Sequence, residues 1–308
     1  MTEVRCTEIA YAGWPHCLRL SNGSMELLVT TDVGPRILRC GFAGDANLFF
    51  EAESDLGRTG GDTWRPYGGH RLWHAPEAVP RTYAPDNAPV DHSWDGKVLS
   101  LRQPPEISTG ISKEICVSMS AARDHVRVTH RMTNNNLWAI TTAAWCLTVV
   151  APGGRAMLPQ EPFVPFPEKL LPARPLVLWS YTNMADPRFT WGRRCIQLWQ
   201  HPNATDCQKI GLLNSAGWGA YELNGSVFLK HAAFIDGQEY PDFGCNWELY
   251  TNPAMLELET LSPYTTIAPG ETLEHTENWC VARLALDSDE EAMVQQLHSL
   301  MEFPADNR

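Results

Sequence analysis

The sequence has no apolar run that reaches the roughly 18 residues needed to cross a bilayer, and its first twenty residues have no apolar core typical of a signal peptide. Positive charge is also scarce, because 24 lysines and arginines stand against 36 aspartates and glutamates, for a net charge of -12. Nucleic-acid binding needs a basic stripe, and the basic residues here are scattered. We therefore expect a cytoplasmic protein with no nucleic-acid partner and no membrane partner.

Cysteine pairs at metal-binding spacing are missing too. The nine cysteines are an odd number and show no CxxC spacing. This pattern favours reduced, mostly buried thiols over a disulfide framework or a zinc knuckle. No stretch resembles a helical HExxH motif or an EF-hand loop. We predict no cofactor and no bound metal.

Helical periodicity is rare. Only the C-terminal SDEEAMVQQLHSLMEF predicts a helix, with Ser288 as N-cap and Glu291 completing a capping box. We expect this helix to cover a sheet edge. Elsewhere, short segments of β-branched and aromatic residues recur between turn signals, and many alternate with a period of two. The pattern predicts an all-β fold, a large antiparallel β-sandwich with a short C-terminal helix.

The stretch 151–175 is dense in proline and could be a linker. Similar strand patterns lie on both sides of it, so we interpret it as a long excursion and expect residues 1–308 to form a single domain. The chain is also rich in tryptophan, with 12 residues. An indole face stacks on the C–H surface of a flat, semi-polar ligand such as a sugar, although tryptophans also fill wide sandwiches.

Two carboxylates stand out in MLELETLSPY. In a strand, Glu257 and Glu259 project from the same face, and crowding raises the pKa of at least one of them. A turn at 251–253 predicts a hairpin that brings Glu248 near this pair. Such a group suits general acid or base catalysis, and the alternative is a solvated face of an edge hairpin.

More polar groups follow in the same part of the chain. Asp242 lies on a predicted turn in YPDFG, and IAPGETLEHTENW predicts a strand that carries Glu274, His275 and Glu277. We expect Asp242, Glu248 and His275 to contact a ligand.

The stretch YGGHRLWHAPE presents a second group behind a flexible Gly-Gly. His70 and Arg71 could face a ligand, Trp73 offers a stacking surface, and His74 and Glu77 are spaced so that they could pair. The alternative is a crowded turn locked by an Arg71–Glu77 salt bridge.

The run LELETLSPYTTIAPGETLEHTENW resembles the closing strands of the aldose 1-epimerase (galactose mutarotase) superfamily. MELLVTTDVGPRILRCGFAGDANLFFE is similar to the opening strands of that superfamily, and YGGHRLWHAPE falls where it carries a Gly-Gly loop that enters the sugar site. The resemblance implies a β-supersandwich fold and a small-molecule carbohydrate partner. It also implies that Glu259 is the base that removes the proton of the anomeric hydroxyl.

The chain departs from the superfamily at one position. The histidine that acts as general acid is missing from the matching region, MTNNNLWAITTAAWCLTVV. We therefore expect His70 or His74 to supply the acid, with Arg71, Trp73, Glu77, Asp242, Glu248, Lys230 and His275 around the sugar. The sequence predicts an epimerase-like isomerase that acts at or near an anomeric carbon. A non-catalytic carbohydrate-binding protein, or a glycoside hydrolase or lyase on the same fold, is the alternative.

Overall fold

The structure, a computed structural model, describes residues 3–303 and consists of two large antiparallel sheets that face each other. The first sheet has eleven strands: β1 (Arg5–Tyr11), β2 (Trp14–Ser21), β3 (Met25–Thr30), β4 (Arg36–Phe42), β5 (His70–Ala75), β10 (Ile140–Val150), β12 (Leu176–Leu178), β15 (Gln208–Leu212), β18 (Trp247–Thr251), β19 (Leu256–Leu261) and β20 (Thr265–Ile267). Its spatial order is β1-β2-β3-β4-β5-β10-β19-β18-β15-β12, with β20 paired to β10.

The second sheet has ten strands: β6 (Asp91–Trp94), β7 (Val98–Arg102), β8 (Ile111–Met119), β9 (His125–Asn134), β11 (Arg155–Pro159), β13 (Phe189–Trp191), β14 (Cys195–Trp199), β16 (Trp218–Leu223), β17 (Ser226–Ala232) and β21 (Thr272–Arg283). Its spatial order is β13-β14-β11-β16-β17-β21-β9-β8-β7-β6. The predicted all-β antiparallel sandwich is confirmed.

The core lies between the two sheets. Alternate residues of facing strands meet there, among them Leu72 of β5, Leu258 of β19 and Phe228 of β17. Leu258 and Phe228 are fully buried. Because side chains in a strand alternate between faces, the opposite face of the first sheet is free to build a separate surface.

The Gly-Gly stretch does not form a loop that enters a site. Gly68 and Gly69 have φ values of +100° and +69°. A Cβ at Gly68 would lie 2.1 Å from the Phe50 carbonyl oxygen, and a Cβ at Gly69 would lie 2.2 Å from that of Ile37. Only glycine fits this close approach. Directly after it, residues 70–75 form β5, a central strand between β4 and β10, so the interpretation as a turn is wrong.

The C-terminal helix α2 (Glu290–Ser299) begins one residue later than the sequence predicts. Asp289 is the N-cap, and its side chain accepts a hydrogen bond from the Ala292 amide. Buried apolar residues of α2, including Leu297, pack against residues of β11, β16 and β17 on the outer face of the second sheet. The helix thus covers a sheet face and not an edge. The other short helical segment of the described chain, α1 (Pro241–Gly244), is left-handed at Asp242 and Phe243, whose φ values are +49° and +61°.

The predicted hairpin is confirmed. Strands β18 and β19 pair across the turn at 252–255, and Glu248 lies directly opposite Glu259. The next predicted strand, β21, belongs to the other sheet and pairs with β9 and β17. The polar groups that are neighbours in this part of the sequence are therefore divided between two sheets. Among residues 3–303, neither helix is long and apolar enough to cross a membrane.

Candidate active site

A pocket of 690 Å³ opens on the face of the first sheet that points away from the second sheet. Its floor is formed by β5, β10, β15, β18 and β19, and loops form its walls. The lining residues are Trp64, Arg71, Trp73, Glu77, Tyr83, Trp145, Leu147, Tyr181, Thr205, Asp206, Cys207, Lys209, Tyr250, Met255 and Glu257. Its volume and its mixture of aromatic walls with a few charged groups are typical of a small-molecule site.

Strand register explains why these side chains meet. Arg71 of β5 lies opposite Leu147 of β10, which lies opposite Glu259 of β19. Two residues further along each strand, Trp73 lies opposite Trp145. The period of two places all of these side chains on one face.

Glu257 is the carboxylate that the sheet itself contributes to the pocket lining. Its Oε1 accepts a hydrogen bond from Arg71 Nη2 at 3.0 Å. The Arg71 guanidinium lies 4.4 Å from the ring centre of Trp73 and 5.5 Å from that of Trp64. Arg71 Nε is buried and has no hydrogen-bond partner among the described residues. The guanidinium is therefore held by one carboxylate and two rings, with a donor still free.

Glu259 lies beside this carboxylate but beneath the pocket floor. It is fully buried, and its Oε2 accepts hydrogen bonds from the Trp145 indole at 2.7 Å and from Lys209 Nζ at 3.1 Å. Lys209 Nζ also lies 2.7 Å from Glu248 Oε2, and Glu248 is fully buried as well. One ammonium thus bridges two buried carboxylates, and its side chain closes the floor above them.

Burial and neighbouring charges shift the pKa values of these groups. Burial raises the pKa of Glu257, an effect that Arg71 opposes and Glu259 reinforces. Burial raises the pKa of Glu248 well above its ordinary value, and the nearby charges of Glu259 and Asp242 add to the rise. Burial alone would lower the pKa of Lys209, but Glu248 and Glu259 raise it well above 10.5. Lys209 therefore stays charged at neutral pH, and the raised pKa makes Glu257 a stronger proton acceptor than an ordinary carboxylate.

Aromatic residues form the rim. Burial raises the pKa of Tyr181 and of Tyr83 to about 12, so both hydroxyls stay protonated and can donate hydrogen bonds. Tyr83 donates to the Glu77 carboxylate. Tyr250 donates to Cys207 Sγ at 3.2 Å. Glu77 contacts Tyr83 and not His74, so the pairing of His74 with Glu77 is wrong.

His70 and His74 do not reach this pocket. Both are fully buried on the opposite face of β5, because they alternate with Arg71 and Trp73 along the strand. His74 Nε2 lies 3.4 Å from Glu106 Oε2. An acid role at the pocket for either histidine does not fit these positions.

Three further sequence candidates also lie outside the pocket. Lys230 and His275 are buried between the sheets, on β17 and β21. Asp242 lies on α1 with φ of +49°, where its charge acts on Glu248, but it does not line the pocket. Of the predicted binding residues, the structure brings Arg71, Trp73 and Glu77 to the pocket and Glu248 directly beneath it.

A second polar cluster, called here the interior cluster, lies behind the pocket between the sheets. It contains His70, Thr148, His130, His275, Thr260, Lys230 and Glu277. His70 Nε2 lies 2.7 Å from His130 Nε2, and His70 Nδ1 lies 2.9 Å from Thr148 Oγ1. His130 Nδ1 donates to the His275 carbonyl at 3.0 Å. Every ring nitrogen of these two histidines therefore has a partner.

Lys230 and Glu277 form the charged pair of the interior cluster. Lys230 Nζ lies 2.8 Å from Glu277 Oε1 and donates to the carbonyls of Cys146, at 3.0 Å, and Leu258, at 3.2 Å. The Trp279 indole donates to Glu277 Oε2 at 2.8 Å. Burial alone would raise the pKa of Glu277, but Lys230 and the three histidines lower it well below its ordinary value.

The interior cluster and the adjacent Cys146 contain the candidate metal ligands of the described chain. The ligand atoms of His70, His130 and Glu277 lie within 4.8 Å of one another, as do those of Cys146, His275 and Glu277. The Lys230 ammonium already provides the cation that Glu277 needs. A divalent ion would add charge beside a buried ammonium, which is unfavourable, so the arrangement fits a structural hydrogen-bond network better than a metal centre.

Sequence reasoning missed most of the pocket walls. Trp64, Tyr83 and Tyr181 come from loops, and no local pattern connects them with the sheet. Two other residues carried a usable signal. Tyr250 is two residues from Glu248 on β18, and Trp145 is two residues from Leu147 on β10, so the members of each pair share a face. Extending the period of two from the carboxylate pair to neighbouring strands would have included both.

Comparison with known proteins identifies the fold. No protein-family model and no curated protein matches the chain. Among solved structures, a TPR-domain containing protein from Parabacteroides distasonis matches 95% of this chain with a TM-score of 0.62 and 12% identity, and the chain spans only 49% of that protein. A galactose mutarotase-like protein from Lactobacillus casei matches 86% of this chain over its whole length, with a TM-score of 0.53 and 10% identity.

A galactose mutarotase related enzyme from Lactobacillus acidophilus is similar in the same way, with a TM-score of 0.54, 7% identity and coverage of 87% of this chain and 99% of the enzyme. The protein therefore has the galactose mutarotase-like fold, as the sequence resemblance implied. At identities of 7% to 12%, the similarity concerns the fold alone.

Proposed function

We propose that this protein is a carbohydrate-active enzyme that acts at or near the anomeric carbon of a sugar by acid/base chemistry. The observation that carries the proposal is the position of Glu257, a buried carboxylate with a raised pKa that faces an aromatic pocket of 690 Å³. Tryptophan and tyrosine walls suit the C–H faces and hydroxyls of a sugar ring. The structural relatives named for galactose mutarotase support the same class of ligand.

Glu257 is the group that we place at the reacting atoms. In its ionised form it accepts the proton of the anomeric hydroxyl as the bond between that carbon and the ring oxygen breaks. A water molecule in the open pocket gives a proton to the ring oxygen and becomes hydroxide. After the aldehyde group of the open chain has rotated, the ring hydroxyl attacks it, the hydroxide regains a proton from that hydroxyl, and Glu257 returns its proton to the carbonyl oxygen. Lys209 and Arg71 supply the positive charge that stabilises the developing negative charge. Glu259, which the resemblance points to as the base, acts from beneath by raising the pKa of Glu257.

The net charge of the pocket limits the charge that a bound sugar can carry. Three acidic residues line it, Glu77, Asp206 and Glu257, against the two basic residues Arg71 and Lys209. Two more carboxylates lie directly below the floor. Both cations are already paired with carboxylates. A phosphorylated sugar would meet net negative charge, so we expect neutral sugars to be the substrates.

The test is NMR exchange between anomers across a panel of neutral aldoses. Glu257→Gln is expected to slow the accelerated exchange by about 10²- to 10⁴-fold, the usual contribution of a general base, while sugar binding persists. Glu259→Gln should cause a smaller loss. The matched control is Glu8→Gln, because Glu8 is an exposed strand residue far from the pocket in the strand order of the same sheet.

A non-catalytic sugar-binding role is the second candidate, and one observation favours it. Lys209 holds Glu259 and Glu248 in a closed ion-pair arrangement, and no histidine is among the lining residues of the described pocket. If several sugars bind but no anomer exchange is accelerated by the wild-type protein, the binding role replaces the catalytic one.

A further inference from the structure

A second cavity adjoins the candidate active site. It has a volume of 620 Å³ and is lined by Gly153, Asp186, Pro187, Arg188, Trp199, Gln200, His201, Pro202, Asn203, Ala204, Thr205 and Asp206. Thr205 and Asp206 also line the first pocket, so the two cavities meet along these two exposed residues. Each volume lies within the range of a ligand-binding cleft.

One residue that lines the second cavity, Arg188, has a buried donor without a partner among the described residues. Arg188 is only 6% exposed, and its Nε and Nη2 hold both carboxylate oxygens of Asp186 at 3.0 and 2.9 Å. Nη2 also donates to the Asp206 carbonyl at 2.6 Å. The remaining nitrogen, Nη1, is buried and has no hydrogen-bond partner among the described residues. A buried donor left unpaired is costly, and a ligand oxygen would satisfy it.

The same cavity also has an aromatic surface. Trp199 ends β14 and is 42% exposed, with the Arg155 guanidinium 5.2 Å from its ring centre. Asn203 and His201 are exposed polar neighbours in the lining. An exposed indole beside amide, imidazole and guanidinium donors suits the C–H face and the hydroxyls of a sugar ring.

The wall between the cavities is rigidly anchored to both. On one side, Arg188 holds the Asp206 carbonyl. On the other side, the next residue, Cys207, accepts the hydrogen bond of Tyr250, which lines the first pocket. Gln208 of β15 donates a 3.0 Å hydrogen bond to Asp186 Oδ2, and Asp186 is the carboxylate that Arg188 also binds. The two cavities therefore keep a fixed relative position, as consecutive subsites require.

We propose that the second cavity is a subsite for the neighbouring residue of a neutral oligosaccharide whose terminal residue occupies the first pocket. This rests on the proposed function and specifies its substrate class. Trp199 stacks on the second sugar ring, Arg188 Nη1 donates to one of its oxygens, and Thr205 and Asp206 contact the linkage between the two rings.

The test is calorimetric titration with glucose, galactose, mannose and N-acetylglucosamine, and with di- and trisaccharides of each. At least one disaccharide is expected to bind about tenfold more tightly than its monosaccharide, because a second stacked ring adds roughly 1.4 kcal/mol. Trp199→Ala should remove this difference and leave monosaccharide affinity unchanged. Arg188→Lys, which keeps the charge beside Asp186, should reduce the difference. Trp138→Ala is the matched control, because Trp138 is 63% exposed and lines neither cavity.

The two proposals fail in different ways. If mono- and disaccharides bind equally, or Trp199→Ala leaves the difference intact, the second subsite is refuted and the proposed function stands. If no sugar of any length binds, both are refuted. If monosaccharides bind and Trp73→Leu weakens them, the first pocket is supported whatever the length dependence shows.

Discussion

Two polar clusters lie against opposite faces of the central strands of the first sheet. On the pocket face, Arg71 Nε is left without a partner, and one ammonium serves two buried carboxylates. On the interior face, His70 and His130 use every ring nitrogen and Lys230 pairs with Glu277. The interior cluster is therefore completed within the fold, whereas the pocket face retains an unpaired donor among the described residues.

The clusters are also in direct contact through the backbone. Lys230 Nζ binds the carbonyl of Leu258, the residue between Glu257 and Glu259, and the carbonyl of Cys146, which lies between Trp145 and Leu147. The interior cluster therefore helps to fix the strand segments that hold the pocket residues. A fully paired interior cluster thus supports the strands that hold the pocket residues in place.

The largest effect that we expect comes from breaking the interior pair. Lys230→Met leaves the Glu277 charge buried without its cation, and the free energy of unfolding should fall by about 3–5 kcal/mol. Urea denaturation measures it. Lys97→Met, at an exposed position, is the control and should change stability by less than about 0.5 kcal/mol. Adding Glu277→Gln to Lys230→Met should recover part of the loss, and a single mutant as stable as wild type would contradict the assignment.

Acid should affect the two faces in opposite directions. Burial lowers the pKa of His275 from its ordinary value of 6.5 to about 4, so the unfolded chain binds more protons than the folded one as the pH falls below 6.5. Protonation of His275 in the unfolded chain therefore lowers the free energy of unfolding by about 2 kcal/mol between pH 7 and pH 5. Glu257 and Glu248 have raised pKa values, so the folded state binds more protons there and acid favours folding.

Variants separate these two contributions in denaturation curves measured from pH 7 to pH 5. His275→Gln should flatten the acid loss, because the imidazole that resists protonation is gone. Glu257→Gln should steepen the net loss, because it removes a group that gains stability in acid. Identical pH profiles for both variants would show that the two clusters do not differ in this way.

The smallest effect concerns an aromatic residue of the pocket floor. Trp73→Leu should weaken sugar binding by about 1 kcal/mol, roughly fivefold in Kd, because one aromatic surface is lost. Calorimetric titration measures it, with Trp138→Leu as the exposed control. An unchanged Kd for every sugar would mean that Trp73 does not contact the ligand.

Sequence periodicity predicted much of the fold, but it did not show which residues of YGGHRLWHAPE face the pocket. Alternation identified the strands around Glu248, Glu257 and Glu259 and their hairpin, because that signal is local. It did not reveal that YGGHRLWHAPE contains a central strand, since a six-residue apolar and basic segment behind two glycines also suits a loop. Once β5 is a strand, Arg71 and Trp73 must face one way and His70 and His74 the other.

The sequence by itself determined an all-β sandwich, a C-terminal helix and a crowded group of glutamates, because each follows from spacing within one segment. Only the tertiary structure decided which polar residues share a face. It places Lys209 of β15 against carboxylates of β18 and β19, and His70 of β5 against His130 of β9, and these contacts join residues 39 to 60 positions apart. Pairing between distant strands sets those contacts, and no local pattern encodes strand order.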